Sequence, residues 1–100
     1  MNLDDWRRRI DELDKRLVEL LNERSRCALE IGRLKQEAKM PLYQPDREHQ
    51  VLKNVQEVNH GPLSNAAIRR LFERIIDEAR AAERIAMHGG DAPEKQDEKS

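Results

Sequence analysis

At 100 residues, with three aromatics and 39% charged side chains, the chain is one small domain, too lean in apolar bulk for a large core in a monomer. Its formal net charge of −1 provides no global basic field for nucleic acid. The single Cys27 excludes an internal disulfide and suits a reducing compartment.

The opening MNLDDWRRR lacks the apolar core of a signal sequence. No run approaches the ~18 apolar residues that read as a membrane span. The expectation is a soluble cytoplasmic protein with neither membrane nor nucleic acid as partner. Asp4 and Asp5 mark a helix start, where carboxylates complement the dipole. From Leu3 to Ala38 the apolar positions are Leu3, Trp6, Ile10, Leu13, Leu17, Leu20, Cys27, Ile31, Leu34 and Ala38, with Arg24 in one slot. Steps of three and four make this the seam of one long amphipathic helix. At ~1.5 Å per residue it is ~50 Å long, against a radius of gyration of ~13 Å for a compact domain of this size. Such a helix overhangs its own domain and finds apolar partners on another chain. Lys35 and Lys39 suit its C-terminus, and Pro41 closes it.

After a short loop from Met40 to Gln44, Pro45 stands as a first helical residue with Asp46 and Glu48 behind it. The second helix runs from about Pro45 to Asn59, with Val51, Leu52, Val55 and Val58 on one face, and His60-Gly61-Pro62 ends it. Ser64 is the N-cap of a third helix. There Ile68, Leu71, Phe72, Ile75, Ile76, Ala79, Ala82 and Ala86 form a stripe that stops at Gly89-Gly90. Residues 91–100, DAPEKQDEKS, read as a disordered tail or linker remnant. The fold class is all-α: three helices, one very long, in a helical homodimer, with a domain over 1–88 and a charged tail over 89–100.

No Gly-rich phosphate loop, metal-ligand spacing or Ser/His/Asp set stands out, and His49, His60 and His88 read as solvated surface residues. Cys27, on the seam, reads as a small core residue rather than a nucleophile. The anomalies are charges on apolar faces. A guanidinium is expensive to bury without anionic partners, and Arg24 occupies an apolar slot. Lys35 lies within about 20° of the same face and ~16 Å further on, so the two side chains can converge on one anion. Glu83 sits among Ile75, Ile76, Ala79 and Ala86, and its plainer reading is a buried salt bridge with Arg24. Arg47 and Glu48 open the second helix, where N–H groups can meet a ligand. Arg7 reads as a solvated residue by pattern alone. It is ~25 Å from Arg24 on one straight helix, a gap that an antiparallel pair of helices would close.

These residues resemble a known family. Arg7-x-x-Ile10-x-x-Leu13-Asp14, Leu20-Leu21-x-x-Arg24, Ile31-Gly32-x-x-Lys35, Pro45-x-Arg47-Glu48 and a Leu71-Phe72 helix reaching Glu83 match, in order and spacing, the all-α (type II) chorismate mutases. The family includes the mutase domain that opens bifunctional mutase–prephenate dehydratase proteins. The resemblance implies an intertwined helical homodimer with two active sites, each built from both chains. It implies rearrangement of chorismate to prephenate in Phe and Tyr biosynthesis, by a [3,3]-sigmatropic Claisen reaction without cofactor or metal. Matching positions make Arg24, Lys35 and Glu83 catalytic. Arg24, Arg47 and the partner's Arg7 would hold the two substrate carboxylates, Lys35 and Glu83 would reach the ether oxygen, and Glu48 would accept from the ring hydroxyl.

Three positions depart from the family pattern. Gln44 stands where many relatives carry Asp, leaving a backbone contact to the ring hydroxyl. Ala79 replaces a Ser found in some relatives, and Glu83 a Gln. Three alternatives remain beside the mutase. Isochorismate–pyruvate lyase shares the fold and a cationic pocket. A non-catalytic module docking on another shikimate-pathway enzyme predicts a dispensable Lys35, and a plain coiled coil predicts that Arg24→Leu stabilises the dimer.

Overall fold

The chain begins with a capping box. The Asn2 side chain accepts from the Asp5 N–H at 2.9 Å, and the Asp5 carboxylate accepts from the Asn2 N–H at 3.0 Å. Two otherwise orphaned donors are thus satisfied at the start of a helix, an arrangement worth ~1 kcal/mol. Asp5 also pairs with Arg8 one turn on. The structure, a computed structural model, describes residues 1–87. Over those residues it is all-α: α1 Leu3–Glu37, α2 Pro45–Glu57 and α3 Asn65–Met87. The expected Gly89-Gly90 stop and charged tail lie outside the described residues.

The C-terminus of α1 is closed before Pro41 is reached. The Lys39 N–H bonds to the Gln36 carbonyl at 3.1 Å and the Met40 N–H to the Lys35 carbonyl at 2.8 Å. This is the pairing of a Schellman motif, with Lys39 at φ 59° in the left-handed position usually given to glycine. The turn folds the loop back over the last turn of α1, so that the Leu42 carbonyl accepts from Lys35 Nζ at 3.2 Å. Pro45 is at the expected first-turn position of α2. That helix ends at Glu57 with Val58 as its cap, two residues short of the expected Asn59. Gly61 follows at φ 77°, a conformation that favours glycine. Ser64 caps α3 as expected, its Oγ accepting from the Ala67 N–H at 3.0 Å.

Helix α3 packs against both α1 and α2. The radius of gyration is 16.4 Å and the extents are 54 × 34 × 17 Å, well above the ~13 Å of a compact chain of this length. Leu52 is the one buried apolar side chain among the described residues. In the second half of α1 the covered positions are Ser25, Ala28, Leu29 and Gly32, with Arg24 and Lys35 half-buried beside them, and they are offset from the Cys27, Ile31 and Leu34 seam. Ser25, Ala28 and Gly32 are small, which lets α3 approach closely. Cys27 is exposed and not a core residue of this chain, a correction to its place in the sequence reading. Ile31 and Leu34 are exposed as well. On the first half of α1, Leu3, Trp6, Ile10, Leu17 and Leu20 are each more than half exposed. The seam read from the sequence is therefore a continuous apolar face that its own chain does not cover.

Candidate active site

A cavity of about 450 Å³ lies where the C-terminal half of α1, the 38–44 loop, the first turns of α2 and the second half of α3 meet. Arg24 and Lys35 enter it from α1, Gln44, Arg47 and Glu48 from the loop and α2, and Glu83 from α3. Arg7 does not reach it within the chain; on α1 it stands ~25 Å from Arg24. Of the other depressions, those around Arg69 and around Pro45 are more open and are lined mainly by exposed residues, and one of about 330 Å³ between α1 and α3 shares Arg24 and Ala79 with this cavity.

Cations meet at this cavity from all three helices: Arg24 and Lys35 from α1, Arg47 from α2 and Arg80 from α3. Elsewhere some charges pair along one helix, as in Arg33 with Glu30 and Glu37, Arg69 with Glu73, and Arg74 with Glu78. Such pairs are worth a few tenths of a kcal/mol. Arg24, Lys35 and Arg47 have no carboxylate partner among the described residues, and the first two are half-buried. Lys35 is held by the Leu42 carbonyl, and Arg47 Nη1 donates to Gln50 Oε1 at 3.0 Å. Gln44 caps α2 through its backbone: its carbonyl accepts from the N–H groups of Arg47 and Glu48 at 3.1 and 3.2 Å, and its side chain makes no cap bond. Three of these cations thus reach one cavity with none of them in an ion pair among the described residues, beside the carboxyl groups of Glu48 and Glu83, and their guanidinium and ammonium groups are left to bind an anionic ligand.

Glu83 is the one buried charged residue among those described, at 7% exposure. The Arg24–Glu83 ion pair of the plainer reading is not formed among the described residues. The carboxyl group lies instead against Gly32, where an added methyl would come within 3.4 Å of its Cγ and Oε2. Gly32 therefore seats the Glu83 head between α1 and α3. Burial raises the Glu83 pKa above the ordinary carboxylate value, and the positive charges of Lys35 and Arg80 partly offset that rise. Ala79 lines the same wall and brings no hydroxyl.

Two contributors escaped the sequence reading, Arg80 and Tyr43. Arg80 lines the cavity, its guanidinium pairing with Asp77 at 2.8 Å and with Glu48 at 3.4 Å. It also lies 4.9 Å from the centre of the Tyr43 ring. A signal for the arginine was available: Arg80 falls one turn after Ile76 and one before Glu83, a second charge on an apolar stripe. No cluster of three or more His, Cys, Asp or Glu side chains is placed to hold a metal among the described residues. His49 and His60 are exposed, as expected, and His88 lies outside those residues. No described helix is long and apolar enough to cross a membrane.

Comparison with known proteins agrees with this geometry. Residues 6–84 match the family described as chorismate mutase type II. The bifunctional chorismate mutase/prephenate dehydratase of Pseudomonas aeruginosa is 44% identical over 82 residues, which are 77% of this chain and 22% of that protein. The protein of the same name from Stutzerimonas stutzeri is 43% identical over 90 residues, 81% of this chain and 24% of its own length. The chain thus spans about a quarter of these curated relatives. Among solved structures, form II of chorismate mutase from Thermus thermophilus superposes with a TM-score of 0.80 at 34% identity, covering 82% of this chain and 93% of that one. Chorismate mutase from Helicobacter pylori in complex with prephenate also gives 0.80, at 30% identity, with 87% and 94% covered. A match over most of the described helices, together with a cationic cavity at their junction, means that this chain belongs to the type II chorismate mutase family.

Proposed function

We propose that the chain is a chorismate mutase, working as a homodimer that rearranges chorismate to prephenate in the cytoplasmic synthesis of Phe and Tyr. The domain over 1–88 carries this activity. The observation that carries the reading is the junction of Arg24, Lys35 and Arg47, none of them in an ion pair among the described residues, beside the buried Glu83. Chorismate is a dianion, and planar guanidinium groups clamp carboxylates while an ammonium acts as a point charge.

Arg24 and Arg47 hold the substrate carboxylates, joined by Arg7 of the partner subunit. The uncovered apolar face of α1 supports the second copy: paired antiparallel, it brings the far end of one α1 to the cavity of the other. Gln44 contributes backbone, and Glu48 accepts from the ring hydroxyl. The rearrangement breaks a C–O bond and makes a C–C bond in one step, with no nucleophile and no proton transfer. The protein's part is to hold the chair-like, near-attack conformer and to stabilise negative charge growing on the ether oxygen. Lys35, steadied by the Leu42 carbonyl, faces that charge. Glu83 serves the same oxygen from the other side when protonated, because an ether oxygen only accepts and a protonated carboxyl group has an O–H to give. Its raised pKa favours that form.

The test is direct. Purified protein is offered chorismate and the absorbance loss followed, with prephenate identified as product. Isochorismate is offered in parallel. Turnover of isochorismate with release of pyruvate, and none of chorismate, would replace this reading with the lyase.

A further inference from the structure

Among the described residues, one ion pair joins two different elements: Arg80 of α3 with Glu48 of α2. The other pairs lie within single helices, three or four residues apart. It is also among the less exposed, with side chains 23% and 26% accessible, and both partners line the cavity. The Arg80 guanidinium has three neighbours. Asp77 binds one edge at 2.8 Å, Glu48 stands at 3.4 Å from the same nitrogen, and the Tyr43 ring lies under the plane at 4.9 Å. Arg80 Nη2 is already shared between two carboxylates, unlike Arg24, which has no carboxylate partner among the described residues.

We propose that Arg80 is a positioning residue acting through Glu48. Clamped by Asp77 and stacked on Tyr43, it fixes the Glu48 carboxylate in the direction from which that group accepts the substrate's ring hydroxyl. The inference rests on the mutase reading given above. A free Glu side chain has three rotatable bonds, and freezing them beforehand removes an entropic penalty from ligand binding. The Tyr43 platform gives the arrangement a second function: it ties the 38–44 loop to α3 by the same cation. Arginine is suited to this, since a planar guanidinium can stack and pair at once, whereas an ammonium cannot.

Steady-state kinetics on the full chain test it, with wild type, Arg80→Met, Glu48→Gln and the double variant compared on chorismate. Met keeps an unbranched side chain over Tyr43 and removes the pairing. Arg80→Met should lower kcat/KM about tenfold, the scale of one hydrogen bond to a charged group. Most of the loss should fall on KM, because the ring hydroxyl, although on the carbon next to the breaking C–O bond, keeps its own bonds throughout and is bound alike in ground and transition states. In the Glu48→Gln background the same change should have no further effect, because the residue it positions is gone. Arg80→Lys should recover part of the loss and Tyr43→Leu should reproduce part of it. Circular dichroism melts check folding; if Arg80→Met does not fold, Arg80→Gln takes its place in the same cycle. Effects of Arg80 and Glu48 that multiply would overturn the inference, as would an Arg80→Met variant as active as wild type. Both outcomes leave the mutase reading standing, whereas a wild-type chain inactive on chorismate removes both.

Discussion

Replacing Leu17 by Ala tests whether the uncovered face of α1 is a subunit interface. Leu17 lies midway along the stripe of Trp6, Ile10, Leu13 and Leu20 and is 54% exposed in the single chain. Full burial of a leucine side chain contributes ~1.5–3 kcal/mol. About half of that remains to be gained here, so each copy contributes ~0.8–1.6 kcal/mol to association. A two-fold interface contains the residue twice, which doubles the figure to ~1.6–3.2 kcal/mol. At ~1.4 kcal/mol per tenfold, Leu17→Ala should raise the dimer dissociation constant by about 15- to 200-fold. Sedimentation equilibrium over a concentration series reads this directly. Thermal melts should move with it: the melting temperature should rise with protein concentration, and at any one concentration the variant should melt lower. Lys15→Ala, beside the seam but outside its apolar positions, is the control and should leave the dissociation constant within about twofold. A wild-type chain that sediments as a monomer at micromolar concentration refutes the interface. So does a Leu17→Ala variant that associates as tightly as wild type.

Three further outcomes follow from the site. Arg7→Ala and Arg24→Ala homodimers should both be nearly inactive, yet a mixture allowed to exchange subunits should regain activity, since each heterodimer has one intact site; proven heterodimers without recovery would show that Arg7 does not serve the neighbour's cavity. Lys35→Ala should lower kcat at least ~100-fold, the scale for losing one oxyanion-type donor, and a change confined to KM would place Lys35 in ground-state binding. For Glu83 the sign follows from a folded-state pKa above the ordinary value: its protonated form contributes stability below the unfolded pKa, and that contribution is lost as pH rises through the folded pKa. Wild-type kcat/KM should fall over the same rise, while Glu83→Gln keeps a donor at every pH. Its profile should stay flat to higher pH, and its melting temperature should gain on wild type from acid to neutral pH. Parallel pH profiles for the two proteins would remove Glu83 as the donor.

Local periodicity and the chemistry of helix ends account for one part of this molecule. Steps of three and four along Leu3 to Leu20, carboxylates in a first turn, Pro45 at a helix start and Ser64 at a cap are decided by neighbours within one turn, and each is found where it was expected. Arg24 and Glu83 were visible as charges on apolar stripes because burial of a charge conflicts with the pattern around it. Their relation to each other was not visible. The two were open to reading as an ion pair, but the depth of Glu83 depends on Gly32, a residue that matters only because α3 crosses α1 there. The covered face of α1, through Ser25, Ala28, Leu29 and Gly32 beside the half-buried Arg24 and Lys35, likewise differs from the Cys27, Ile31 and Leu34 seam that the apolar side chains suggest. A helix about 50 Å long has room for two faces, one for its own chain and one left open, and periodicity reports the more apolar of them. The Tyr43, Arg80 and Glu48 cluster belongs wholly to tertiary structure. Its members come from a loop and two helices, and their contact depends on the Schellman turn at Lys39 and on how α2 meets α3, which no spacing along the chain encodes.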